Sequence, residues 1–104
     1  MPDKKLEEII NRILQVIIPD KIILFGSRAR GNNKKDSDYD LLVIKSGIQD
    51  ELLIARKIYR YLIGVDESVD IMVETPETLE KYKETPGYVY KSILKEGIVV
   101  YGSV

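Results

Sequence analysis

The stretch centred on residues 39–73 constrains the fold most. It opens with an apolar run, "DYDLLVIK", passes through "GIQDELLIARKIYRYLIG", and closes with a second apolar run, "SVDIMVE". Short apolar runs bounded by turn signals read as buried strands. The middle segment carries apolar residues at helical spacing, with Gly64 at its end. A strand, a helix and a strand in that order form a βαβ unit, whose two strands are parallel. In the middle helix, Leu52, Ala55, Tyr59 and Leu62 mark the expected core stripe.

The flanks add to this unit on both sides. Leu6, Ile9, Ile10, Ile13, Leu14 and Ile17 recur at i, i+3, i+4, i+7, i+8 and i+11, which predicts an amphipathic helix over residues 3–18. Pro19-Asp20 ends it. "KIILFG" is a short buried strand that stops at Gly26. "SRARG" has room for only a short helix, with Ser27 as N-cap and Gly31 as C-cap. "NNKKDS" is a polar loop. Downstream, Thr75-Pro76-Glu77 starts a helix with a cap followed by proline. Pro86-Gly87 breaks it, "YVYKSILKEG" is a last short helix and "IVVYG" a fourth strand. The expected fold is α/β (α+β): a small mixed sheet of about four strands with helices packed on it. A length of 104 residues suits one domain over residues 1–104.

Composition excludes several kinds of chemistry. There is no histidine, so no Ser-His-Asp triad, imidazole base or His-bound zinc site exists in this chain. There is no cysteine, so thiol and disulfide chemistry are excluded too. A net charge of −1 argues against broad nucleic-acid binding, although Arg28, Arg30, Lys34 and Lys35 form a local basic cluster. No apolar run reaches the ~18 residues that span a bilayer. "MPDKKLEEII" lacks the pattern of a secretory signal, and a cytoplasmic location is expected.

Any catalysis must therefore use carboxylates, hydroxyls, lysine or arginine, together with a hard metal ion held by oxygen. Asp38 and Asp40 alternate at the mouth of a strand, so both side chains take one face. Asp70 stands near the start of the next strand. If the two strands are parallel neighbours, their starts lie at one end of the sheet, and the three carboxylates meet there. Three such groups repel one another unless a divalent cation neutralises them, and an oxygen-only donor set favours Mg²⁺ or Mn²⁺. Singly, each aspartate has a structural reading: a turn residue, an edge-strand surface residue, or a partner of a lysine. Their convergence is harder to explain that way. A calcium loop beginning at Asp36 fails, because Leu41 stands where glycine is needed and Gly47 where a bidentate glutamate is needed.

Gly26-Ser27 ends one strand and opens the short basic segment. A glycine there lets a phosphate approach the backbone, and a helix start presents N–H groups to it; a plain N-cap is the alternative. There is no Walker A motif and no G-x-G-x-x-G. Phe25 occupies the first glycine position of G-x-S-x-G, so Ser27 is not a nucleophile elbow. A phosphate cradle beside metal-binding carboxylates suits phosphoryl or nucleotidyl transfer.

Gly26-Ser27, ten residues, then Asp38-Tyr39-Asp40 resembles the G-S-x10-D-x-D signature of the DNA polymerase β-like nucleotidyltransferase superfamily. The "GSRARG" form, the later "VDIMV" and the chain length are similar to its minimal nucleotidyltransferase (MNT) branch, and the resemblance spans nearly the whole chain. It implies the nucleotidyltransferase fold. It implies that Gly26 and Ser27 hold the β- and γ-phosphates of ATP, and that Asp38 and Asp40 bind two Mg²⁺ ions, with Mn²⁺ as the alternative. Asp70 would complete the nucleophile-side metal site and help deprotonate the attacking hydroxyl. Arg28 and Arg30 are expected to contact phosphate or partner; a solvated basic turn is the alternative. Larger relatives carry a second, helical domain for which this chain is too short. The family's usual answer is a separate HEPN-type ribonuclease toxin, with the nucleotidyltransferase as antitoxin transferring AMP to a tyrosine of it. The expected assembly is a hetero-oligomer with the toxin, or a homo-oligomer. Two other readings stand beside this one: a non-catalytic antitoxin acting by contact, and transfer to a small molecule or RNA. Seven tyrosines, among them Tyr82, Tyr88 and Tyr90, suit an interaction surface or a core with hydroxyls at its edge.

Overall fold

A computed structural model describes residues 3–31 and 37–102. The chain runs α1 (Lys4–Leu14), β1 (Lys21–Phe25), β2 (Tyr39–Ile44), α2 (Glu51–Tyr61), β3 (Val69–Glu74), α3 (Pro76–Tyr82), α4 (Tyr90–Glu96) and β4 (Ile98–Gly102). The strands form one mixed sheet in the order β3-β2-β1-β4. β1 is antiparallel to both β2 and β4, while β2 and β3 are parallel, as the βαβ reading requires. In that parallel pair Tyr39 stands beside Val69 and Asp40 beside Asp70.

Alternation along each strand sorts the side chains onto two faces. Ile22, Leu24, Tyr39, Leu41, Val43, Ile71 and Val73 pack with Ile9 and Ile13 of α1 and Ile58 of α2. Ile23, Leu42 and Ile44 pack on the other face with Leu79 of α3 and Tyr90 and Ile93 of α4. Asp40 and Asp70 belong by alternation to this second face.

Local signals set most helix starts. The Asp3 carboxylate caps α1 by accepting from the Leu6 N–H at 3.0 Å, and Asp50 does the same for α2 through Leu53. Thr75 caps α3 with Pro76 in its first turn.

Three expectations change. The first helix ends at Leu14 rather than residue 18; looser turns carry the chain to Pro19, which disfavours helical backbone in the residue before it. Residues 26–31 form hydrogen-bonded turns and not a short helix, with Arg30 N–H donating to the Gly26 carbonyl at 3.2 Å. The core stripe of α2 runs through Ile54, Ala55, Ile58 and Leu62. Leu52 and Tyr59, expected on that stripe, are 60% and 43% exposed. Tyr59 lies along the sheet edge instead, where its hydroxyl accepts from the Ile71 N–H at 2.8 Å. Edge-strand N–H groups otherwise offer a template for pairing with another chain.

Candidate active site

The parallel register does the assembling. Because Asp40 pairs with Asp70 across β2 and β3, their carboxylates stand side by side, and Asp38 enters from just before β2. One carboxylate oxygen from each of Asp38, Asp40 and Asp70 lies within 4.8 Å of the other two. Asp38 and Asp70 are exposed and Asp40 is half-buried. Burial pushes the Asp40 carboxyl above the usual carboxylate range, and the charges of Asp70 and Asp38 push it the same way, with Arg30 acting in opposition.

Gly26 completes the geometry from β1. Phe25 pairs with Asp40 in the β1–β2 register, so Gly26 turns directly over that carboxylate. It has φ +76, and a Cβ built on it would overlap the Asp40 carboxylate oxygen and lie 3.2 Å from Asp40 Cγ. Glycine is required here twice, for the backbone conformation and for the close approach. Ser27 follows in the turn.

The residues fit a divalent cation. All the donors are oxygens, as Mg²⁺ and Mn²⁺ prefer. Oxygens around one Mg²⁺ are separated by roughly 3–4 Å, since each Mg–O bond is about 2.0–2.1 Å, so small side-chain rotations would bring the three carboxylates into one shell. A cation would also relieve the mutual repulsion that raises the Asp40 carboxyl.

The two arginines of the basic turn part company. Arg30 stays on the acid side, where it acts on Asp40 and reaches Glu96 of α4 at 4.0 Å. A cleft of about 210 Å³ adjoins it, lined by Phe25 and Gly26 and by Val89, Ser92, Ile93 and Glu96. Arg28 turns the other way. Its guanidinium lies over the Tyr39 ring, 3.9 Å from the centroid, and its Nε donates to the Ser37 carbonyl at 2.8 Å. The Tyr39 hydroxyl in turn donates to Asp3 Oδ2 at 2.9 Å. Lys34, Lys35 and Asp36 lie outside the described residues.

Tyr39 and Asp3 are the site's neighbours that sequence reasoning missed. Tyr39 stood in view as the middle residue of D-x-D, but nothing in the sequence links it to Asp3, 36 positions earlier. Tyr82, Tyr88 and Tyr90 form a stacked row, with centroids 4.6 and 5.9 Å apart. Tyr90 is buried and Tyr88 is 48% exposed, so the row divides between core and surface. The Tyr90 hydroxyl donates to Glu74 at 2.8 Å, and burial and that carboxylate push its pKa up to about 12. A larger hollow of about 340 Å³ lies at the opposite end of the same face, lined by Ile23, Ile44, Leu79 and Leu94 among others. None of the three clustered aspartates lines it.

Comparison with known proteins gives the family of the chain. Residues 4–103 match the family described as polymerase beta, nucleotidyltransferase. A candidate protein adenylyltransferase of Methanocaldococcus jannaschii, MJ0604, is 32% identical over 81 residues, covering 78% of this chain and 77% of that one. Solved structures share the fold at lower identity. A candidate nucleotidyltransferase from Sulfolobus solfataricus superposes with TM-score 0.65 at 22% identity, covering 95% of this chain and 78% of that one. A toxin–antitoxin structure with AMP-PNP superposes with TM-score 0.62 at 19% identity, covering 93% and 73%. A mutant toxin–antitoxin complex, MntA–HpeT, gives 0.56 at 16% identity, covering 95% and 73%. Among the described residues no helix is long and apolar enough to cross a membrane. The chain belongs to the polymerase β nucleotidyltransferase family, and its enzyme class is nucleotidyltransferase.

Proposed function

We propose that this chain transfers AMP from ATP to a hydroxyl, that of a tyrosine, on a partner HEPN-type ribonuclease toxin, and so acts as its antitoxin. The observation that carries the reading is the convergence of Asp38, Asp40 and Asp70 beneath Gly26. The name of the M. jannaschii relative supports a protein as acceptor, and the toxin–antitoxin neighbours support the biological setting.

Each residue has a task. Gly26 and Ser27 hold the β- and γ-phosphates, with the Gly26 backbone free to approach closely because no side chain intervenes. Asp38, Asp40 and Asp70 would hold two Mg²⁺ ions, or Mn²⁺. Bound there, the ions would polarise the α-phosphate and neutralise the leaving pyrophosphate. Asp70 accepts the acceptor hydroxyl's proton. The oxygen so freed bonds to the α-phosphorus as the bond from that phosphorus to pyrophosphate breaks. Arg30 would meet the phosphates from the acid side, where a cleft opens between it and α4. A cytoplasmic location follows from this reading, because ATP and a ribonuclease toxin meet there.

Intact-mass spectrometry tests it. The protein is incubated with ATP, Mg²⁺ and the protein that co-purifies with it, beside an Asp38→Asn/Asp40→Asn variant. The expected result is an AMP-sized gain on the partner with the wild type and none with the variant. A partner that stays bound and inhibited without any mass gain would favour neutralisation by contact. A gain on RNA or a small molecule would replace the acceptor.

A further inference from the structure

We infer that Arg28 is a positioning residue that sets the metal-binding carboxylates, and not a phosphate contact; this rests on the metal reading of the acid cluster. The argument begins with strand alternation. Tyr39 is 3% exposed and packs on the face covered by α1 and α2. Its neighbours Asp38 and Asp40 project to the opposite face. A guanidinium stacked on the Tyr39 ring therefore stands on the far side of β2 from the carboxylates.

Both polar commitments of Arg28 point at the D-x-D segment. The Nε bond to the Ser37 carbonyl fixes the peptide immediately before Asp38. The stacked plane fixes the residue between the two aspartates. Tyr39 is itself tethered, through its hydroxyl, to the Asp3 carboxylate that caps α1. Asp38, Tyr39 and Asp40 are thus held from behind by groups that never reach the metal side. The bond from Arg28 to Ser37 also spans the segment between the phosphate turn and the carboxylates, which ties the spacing of the two halves of the site. Arg30, two residues on, keeps the acid side and is the arginine placed to meet a nucleotide.

Arginine is specific for this task. A planar guanidinium can lie over a ring and at the same time direct Nε–H along a fixed line, whereas a lysine ammonium, a single point charge with freely rotating donors, cannot hold both contacts at once. Arg28→Lys therefore separates the two roles. A phosphate contact made by charge would survive the change in part; a stacked clasp would not.

The test is Mn²⁺ binding without nucleotide, followed by electron paramagnetic resonance, on wild type, Asp40→Asn and Arg28→Lys, with thermal melting alongside. The wild type is expected to bind Mn²⁺ and Asp40→Asn to lose binding. Arg28→Lys should bind about tenfold more weakly or worse, the scale seen when groups that orient metal ligands are removed, while melting near the wild type. In the transfer assay its kcat should fall with KM for ATP held. Wild-type Mn²⁺ affinity in Arg28→Lys would overturn the inference. So would melting far below the wild type, which would make Arg28 a stability residue. Equal Mn²⁺ binding by wild type and Asp40→Asn would instead overturn the metal reading beneath it.

Discussion

On one face of the sheet, Ile22, Leu24, Leu41, Val43, Ile71 and Val73 lie closed beneath α1 and α2. On the other, Ile23, Leu42 and Ile44 are covered by α3 and α4, but β2 and β3 begin on that face with the half-buried Asp40 and the exposed Asp70. The same β-strands therefore build a dry core and a charged site by alternation alone. A carboxylate placed one residue along would be buried under α1 and α2, where an unpaired charge costs far more than a cap or a surface pair contributes. Core and site share a backbone but not a dielectric, so they should respond oppositely to mutation.

Removing the acids should separate activity from stability most sharply. Asp38→Asn/Asp40→Asn is expected to lower transfer by about 10²-fold or more, the scale at which lost transition-state electrostatics act. Melting should be unchanged or slightly higher, since a repulsive cluster has been relieved; a large drop in melting temperature would break the contrast. On the closed face, Ile13→Ala should do the reverse. Ile13 is fully buried, and truncation should cost about 2–5 kcal/mol through lost transfer energy and a cavity. Denaturant unfolding measures this, and activity per folded molecule should hold.

Gly26→Ala joins the two effects. Its φ of +76 disfavours a side chain, and the new methyl would press on the Asp40 carboxylate. A displaced carboxylate should lower transfer by about tenfold to a hundredfold, with Mn²⁺ affinity falling in parallel. Unchanged Mn²⁺ affinity would show that Gly26 and Asp40 are not coupled.

The smallest effect is in pH. Burial and the neighbouring carboxylates raise the Asp40 carboxyl above its ordinary value in the folded protein, so between the unfolded and folded values the folded state binds more protons than the unfolded chain. Stability from this group therefore increases as pH falls through that window, and at neutral pH the charged carboxylate is a burden. Cation-free wild type should melt slightly below Asp40→Asn at neutral pH, with the gap narrowing on acidification. Added Mg²⁺ should raise the wild type alone. A gap that widens on acidification would contradict the assigned direction.

Much of this was legible in the sequence, for reasons that are local. The βαβ unit follows from two apolar runs and a helical period, and the D-x-D face follows from strand alternation. Asp70 joined them because a parallel pair brings strand starts together. The Thr75-Pro76 start was readable because capping acts within three residues. What escaped depends on contacts between distant positions. The core stripe of α2 was shifted because periodicity allows neighbouring stripes, and only packing against α1 and the sheet selects Ile58 over Tyr59. The basic turn holds two arginines two residues apart, and sequence alone treats them alike. Only the Tyr39 ring, anchored by Asp3, draws Arg28 behind the strand and leaves Arg30 in front.

The most direct measurement of the central claim is label transfer to the partner protein from ATP labelled at the α-phosphate and, in parallel, at the γ-phosphate, with and without EDTA. A nucleotidyltransferase site at Asp38, Asp40 and Asp70 predicts that the α-label stays on the partner, the γ-label leaves in pyrophosphate, and EDTA abolishes both outcomes. Retention of the γ-label, or α-label transfer that persists in EDTA, would contradict it.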